Sequence, residues 1–333
     1  MPKFPWLTLI VPGIGPSLRQ VEDVAQAQSL SRLAGRGMLE LRWDRRDAWL
    51  PLRPWQRGLL STLDISRAAL ASGPVSAVGC ELVASDGYWL HAQPVHFVAG
   101  LQRVTFGLLE GEAQITAAEH LALTQSLAPH FPADGFTLHA SSGEWFMRVA
   151  NPLEVETSSP EAAATNDLQS MMPRGKDAAV LRRLMTEFQM LLHEHPVNER
   201  RASLGLPAIN ALWLWGGGAC PNFEERSLPV AFGVDSFLAG LYRLHNQPVQ
   251  TAPAHAADLS ITREMRQLIV VASVDGVQAL ESQWTGPLAQ MLSAGKIGRL
   301  DVMLDEWHLQ ADRGALRRFW RRPLSPVLWE RAS

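Results

Sequence analysis

His193-Glu194-His195-Pro196-Val197-Asn198-Glu199-Arg200-Arg201, followed after a short gap by Asn210-Ala211-Leu212-Trp213-Leu214-Trp215-Gly216-Gly217-Gly218, is the stretch on which the fold turns. Pro196 disfavours helix at His195 and ends the element before it. After a short polar link, residues 208–215 form an apolar run that reads as a buried strand, closed by three glycines. Apolar residues fall on both faces of that run, as an interior strand of a parallel sheet requires. Trp213 and Trp215 alternate and share one face, where packing against a helix competes with a stacking platform.

Working outward, Leu181, Leu184, Met185, Phe188, Leu191 and Leu192 follow helical spacing after Asp177, a cap candidate. Residues 7–11 are a short β-branched run closed by Pro12-Gly13-Ile14-Gly15-Pro16, a buried strand ending in a rigid loop. Leu18 to Leu33 reads as a helix with Ser17 as N-cap and Gly35 as stop. Residues 42–60 lack clear periodicity and read as irregular with a helical piece. Gly73-Pro74 breaks the chain and Val75 to Ala84 reopens it as a strand. Residues 88–97 and 101–109 read as paired strands, 116–130 as a helix, and 136–149 as a hairpin around Ser141-Ser142-Gly143. Residues 152–175 read as a long surface loop. Strands at 230–232 and 267–273, helices at 236–244 and 277–292, a strand or hairpin at 300–309 and a terminal helix at 313–321 complete the reading. The alternation of strands and helices favours an α/β fold with a mostly parallel sheet flanked by helices.

The bulk numbers agree with a globular chain. At 333 residues, 47% hydrophobic and 19% charged, it can bury a large core and is not disordered. Cys80 and Cys220 are the only cysteines, which excludes a disulfide framework and a four-thiolate zinc site. The apolar run from Trp6 to Val11 is shorter than a signal-peptide core, and no run approaches a membrane span. A soluble, cytoplasmic, bacterial-style protein is expected. The formal charge of −3 argues against general affinity for nucleic acid or anionic membranes. The segment from Arg313 to Ser333 carries six arginines against Glu330, a net +5, which leaves −8 on the rest of the chain. Phe319, Trp320 and Trp329 are interleaved, a composition that suits nucleic acid or an acidic protein surface. A terminal helix docked through Leu316, Phe319 and Trp320, with its arginines in solvent, is the expectation.

The His195–Asn198 and Asn210–Gly218 stretches resemble the "HPVN…NxxWLWGxG" signature of archaeal-type, cofactor-independent phosphoglycerate mutases of the alkaline phosphatase superfamily. The chain is more similar still to a bacterial group of shortened relatives labelled regulatory proteins of the Rpf, or pathogenicity-factor, type. Where that group reads "RADPVHL", this chain has His91-Ala92-Gln93-Pro94-Val95-His96-Phe97, so the basic residue and the carboxylate are replaced. Phe232-Gly233-Val234-Asp235-Ser236 through Gly240-Leu241 is similar to the mutases' "isgvDLvkGl". The resemblance implies a reduced alkaline-phosphatase-like core from residues 1–75 and 206–333, with an inserted α+β subdomain at 76–205. It also implies a reaction with two divalent metals held by Asp and His and a Ser or Thr nucleophile. The first ligand comes from an "LDGxGD"-like turn, which here is Val11-Pro12-Gly13-Ile14-Gly15-Pro16, without either carboxylate. The later "DEAGH"-like and "DHxTP"-like segments are missing; after residue 246 the only histidines are His255 and His308. Asp305-Glu306-Trp307-His308 is the nearest approach.

His193 and His195 point roughly 200° apart on a helix and cannot chelate one ion unless the helix has ended. His195 and Asn198 read as polar caps of a helix end, or as ligands. Gly216, Gly217 and Gly218 sit where doubly wound folds place ligands, and glycines can form a backbone anion nest. No Lys-Ser/Thr follows them, so a nucleotide P-loop is excluded. Arg200 and Arg201 could supply charge for a phosphate or carboxylate. The candidate ligand-binding set is therefore Gly216, Gly217, Gly218, Arg200, Arg201, Asn198 and His195, with no catalytic residue, no metal ligand and no cofactor expected. The leading functional reading is a non-catalytic regulatory or scaffolding relative of the mutases, a pseudoenzyme that binds a protein partner or small anion. The rival is a metal-dependent phosphoryl-transfer enzyme with atypical ligands.

Overall fold

A computed structural model describes residues 4–21, 24–41, 49–66, 70–84, 86–100, 104–131, 135–262 and 267–329. Packing divides the chain into two compact units, one of Met1–Asp44, Pro54–Ser66 and Glu224–Ser333, the other of Arg45–Arg53 and Arg67–Phe223. In chain order the strands are β1 (Trp6–Val11), β2 (Met38–Leu41), β3 (Tyr88–Ala99), β4 (Val104–Gly107), β5 (Phe136–Ser141) and β6 (Glu144–Val149). They continue with β7 (Ala211–Ala219), β8 (Val230–Phe232), β9 (Gln267–Val271), β10 (Arg299–Leu304) and β11 (Trp307–Asp312).

The first unit is a six-stranded sheet in the order β2-β11-β10-β1-β9-β8. β1 runs parallel to both β9 and β10, and β8 runs parallel to β9. β11 and β2 extend one edge antiparallel. Leu7, Leu9, Ile10 and Val11 are fully buried, as a central parallel strand covered on both faces requires. Leu9 and Val302 join one core with Leu30 and Leu33 of helix Gln28–Arg36 and with Leu280, Trp284 and Leu288 of residues 276–294. On the opposite face Met303 packs at Gly58 of helix Pro54–Thr62, where a Cβ would come within 2.7 Å of its sulfur. This unit is the mostly parallel, helix-flanked sheet that the sequence predicts.

The second unit is an antiparallel sheet in which β3 pairs with β4, β6 and β7, and β5 pairs with β6. Residues 208–215 were expected in the parallel core sheet. Instead β7 runs antiparallel to β3, with Trp213 opposite Gln93 and Trp215 opposite His91. Its burial on both faces has another cause. Helix Ala178–His193 packs on the same unit's core through Leu181, Leu184, Met185 and Phe188, while helix Ser72–Gly79 closes against β3 and β7. A strand covered on both faces is apolar on both faces whichever way its neighbours run.

Three further expectations are corrected. Val75 to Ala84 is no strand: residues 72–79 form a helix, whose first turn tolerates Gly73 and Pro74. The helix expected at 18–33 is divided between Gly15–Leu18 and Gln28–Arg36, with residues 22 and 23 outside the described residues. The terminal helix ends after one turn, Arg313–Leu316, and Phe319 and Trp320 are exposed where docking was expected. The hairpin around Ser142 and Gly143 is as read, with both residues at positive φ (54° and 79°), the backbone of a type I′ turn. The described residues contain no helix long and apolar enough to cross a membrane.

Candidate functional site

The end of β7 is built by close approach. Gly216 has φ of +67°, and the pairing with β3 shifts register between Trp89 and His91. Its N–H donates to the Thr157 hydroxyl at 3.1 Å. A Cβ on Gly216 would lie 3.2 Å from Ser72 and 3.3 Å from His91, one on Gly217 would meet the Tyr88 ring at 2.5 Å, and one on Gly218 would meet Ala71 at 2.5 Å. The three glycines admit neighbouring side chains and backbone, and the Gly216 N–H is already engaged by Thr157.

What Gly216 admits is a buried polar cluster. Ser72 Oγ lies 2.9 Å from His91 Nε2, and His91 Nδ1 lies 3.8 Å from Glu144. The His91 ring stacks on Trp215 at 4.5 Å and 12°, and the Arg53 guanidinium lies 4.7 Å from the Trp215 ring. Arg53 pairs with Glu161 at 3.1 Å and donates to Gln93 at 3.3 Å. Burial, reinforced by the Arg53 charge and opposed by the Ser72 hydrogen bond, pushes His91 down to about 3. Hydroxyl, imidazole and carboxylate thus stand in the order of a nucleophile, base and orienting acid. Burial works against that chemistry. Ser72 is fully buried, so no substrate reaches its oxygen, and an imidazole that titrates near 3 is a weak base at neutral pH. The cluster holds the strand ends together.

His195, Asn198 and Arg201 collect at the other end of β7. His195 caps the start of helix Pro196–Ser203, its Nδ1 accepting from the Val197 N–H at 3.2 Å. Burial holds its pKa below the ordinary range. The Asn198 amide donates to the carbonyls of Leu192 and Ile209, and its oxygen accepts from the Ile209 N–H at 2.7 Å. Arg201, 1% exposed, pairs with Glu119 at 3.0 Å and donates to the carbonyls of Pro207 and Ala113. Burial alone would raise the Glu119 carboxyl, but hydrogen bonds from Thr116 and Arg201 carry it below the usual range. Arg200 faces solvent. Asn198 grips Ile209 before β7 begins, whereas Gly216 lies about 20 Å further along an extended strand. The structure therefore does not bring Arg200 or Arg201 to the glycines; among the described residues Arg53 is the cation over the neighbouring Trp215 ring. Arg53 and Glu144 lie far from the quoted stretch in sequence, in segments without a motif, and nothing in the local pattern marks them.

In the first unit, the turn after β1 has a different occupant from the one the resemblance implies. Asp305, at φ of 51° on the β10–β11 hairpin, accepts the N–H of Gly13 through Oδ1 and that of Gly15 through Oδ2, both at 2.7 Å. His308 turns to Asp301 at 3.1 Å, and Arg299 holds the same carboxylate through two bonds at 2.7 and 2.9 Å. Burial would raise the Asp301 carboxyl, but His308 and Arg299 hold it low. Carboxylates aimed at N–H donors and a guanidinium are not arranged as a metal shell. Among the described residues no three His, Cys, Asp or Glu side chains are grouped to hold an ion. These described donors do not fit a two-metal centre of the kind that the resemblance implies.

No family profile matches the chain. A 2,3-bisphosphoglycerate-independent phosphoglycerate mutase of Methanothrix thermoacetophila is 51% identical over 54 residues, 16% of this chain and 14% of that protein. The protein of the same description from Methanosarcina mazei is 26% identical over 212 residues, 62% of this chain and 51% of that protein. The aligned part thus spans about half the length of the second relative and much less of the first. A solved cofactor-independent phosphoglycerate mutase from Thermoplasma acidophilum is 17% identical, with a TM-score of 0.42 over 98% of this chain and 95% of that one. In sequence, the chain is a relative of the cofactor-independent phosphoglycerate mutases.

Proposed function

We propose that this chain is a non-catalytic, regulatory or scaffolding relative of the cofactor-independent phosphoglycerate mutases, of the shortened bacterial type, that acts by binding a protein partner or small anion. The observation that carries the reading is the Asp305 carboxylate on the Gly13 and Gly15 amides. Where the mutases are expected to hold a metal ligand, this turn offers only backbone donors, and the arriving carboxylate has both oxygens on them. A metal-dependent phosphoryl transfer needs ions that screen the phosphate and activate the attacking oxygen. The described donors do not supply that shell. The sequence similarity supports descent from the mutase fold, and fold alone does not carry an activity.

The test is metal analysis after equilibration with manganese and with zinc, combined with turnover of 3-phosphoglycerate and of a generic phosphate monoester. Less than one tightly held equivalent and no turnover above buffer is the expected result. Two equivalents with ester turnover would reverse the reading in favour of phosphoryl transfer with atypical ligands.

A further inference from the structure

Arg317-Arg318-Phe319-Trp320-Arg321-Arg322 places four arginines and two large aromatic residues in six positions without a carboxylate. The segment is held on both sides by the first unit. Before it, Arg36 donates to the Leu316 carbonyl at 3.1 Å, and within it Arg318 donates to the Arg36 carbonyl at 3.2 Å. After it, the Leu324 N–H donates to the Ser31 carbonyl at 2.9 Å, and buried Trp329 packs edge-on to Trp307 at 5.5 Å. The Arg322 carbonyl lies so close over Gly35 that a Cβ there would stand 2.1 Å from its oxygen. Between these anchors the chain turns outward. Phe319 is 79% exposed and Trp320 69% exposed, their rings 5.3 Å apart at 81°. Arg317, Arg321 and Arg322 make no ion pair among the described residues.

We propose that this strap is a docking surface for an acidic protein segment that carries apolar side chains. Tryptophan and arginine dominate the energetics of protein interfaces. Two adjacent large rings left in water on a fixed backbone are the exception on a monomer surface and mark an interaction site. Because hydrogen bonds and packing already hold the strap at both ends, its backbone loses little conformational freedom on binding. The sign of the partner follows from charge: unpaired guanidinium groups flank the rings, so complementarity calls for carboxylates. Ring geometry favours protein over single-stranded nucleic acid. Bases stack on successive open ring faces, whereas here one ring presents its edge to the face of the other. The surface is independent of the Gly13–Asp305 turn, so its test does not depend on whether phosphoryl transfer survives.

The experiment is fluorescence anisotropy with the whole chain and a fluorescein-labelled peptide of four Glu-Glu-Leu repeats, against a Lys-Lys-Leu peptide and oligothymidylate of similar length. The Glu-Glu-Leu peptide should bind and the Lys-Lys-Leu peptide should not. A Phe319→Ala/Trp320→Ala variant and an Arg321→Glu/Arg322→Glu variant should each weaken binding about tenfold or more. Both variants should keep the parent's circular dichroism and unfolding midpoint, since the altered side chains are solvent-exposed. Failure of the acidic peptide to bind, equal binding by the variants, or tighter binding of oligothymidylate lost in the same variants would overturn the proposal.

Discussion

Arg201 and Glu119 form an ion pair of 3.0 Å in the second unit, with the arginine side chain 1% exposed and the carboxylate also bonded to Thr116. The pair ties helix Pro196–Ser203 to the capping box that opens helix Ala117–Leu127. Removing one partner of such a pair leaves the other charge uncompensated, at a cost of about 3–5 kcal/mol. Arg201→Ala should lower the denaturant midpoint accordingly, while Arg200→Ala, which alters a solvent-facing side chain, should stay within about 0.5 kcal/mol of the parent. Equal effects of the two substitutions would refute the assignment.

Trp213 is fully buried and donates its indole N–H to the Ser158 carbonyl at 2.8 Å. Trp213→Ala should cost about 3–5 kcal/mol, the range for truncating a large core aromatic. Urea unfolding followed by far-UV circular dichroism reads it; an unchanged midpoint would place the ring outside the core.

His91 titrates near 3 in the folded chain against an ordinary 6.5, with burial as the main cause. The unfolded chain therefore takes up this proton at a higher pH than the folded one. Stability is full above about 6.5 and is lost as pH falls toward 3, by about 1.4 kcal/mol per unit from this group. His91→Gln should flatten that slope of unfolding free energy between pH 6 and 4. A slope equal to the parent's would mean that His91 is not buried in its neutral form.

Asp305 makes two charge-assisted bonds to backbone N–H groups, and the turn is half-buried, so water recovers part of what Asp305→Ala removes. A loss of about 2 kcal/mol is expected. Hydrogen exchange should quicken at Gly13 and Gly15 and leave β9 protected. Unchanged exchange at those two amides would sink the assignment.

Elements whose cause is local were legible in the sequence. Ser142-Gly143 sets its own hairpin through positive φ, and Leu181 to Leu192 declare a helix by spacing. Residues 75–79 misled because Val75, Ser76, Ala77 and Val78 carry no strong period of either kind, and Gly73-Pro74 reads equally as a break or a first turn. The partner of β7 was not legible, because burial on both faces records what covers a strand and not the direction of its neighbours. The cluster at Gly216 was half visible. The glycine run marked the place as a ligand nest, but what it admits is the Ser72, Arg53 and Glu144 cluster, whose side chains arrive from distant segments.

The register of β1 has a consequence for how the chain comes off the ribosome. Its first neighbour, β9, ends at Val271 and its second, β10, at Leu304, so the earliest-made strand of the sheet waits for the last-made ones. At usual rates of synthesis that interval is tens of seconds. Throughout it Leu7, Leu9, Ile10 and Val11 lack both of their described ladder partners, while β3 to β7 can close their own sheet as soon as Ala219 has emerged. The second unit can thus mature on the nascent chain. The first is a late event, and during the delay the apolar β1 is open to capture by a chaperone or by the edge of another chain.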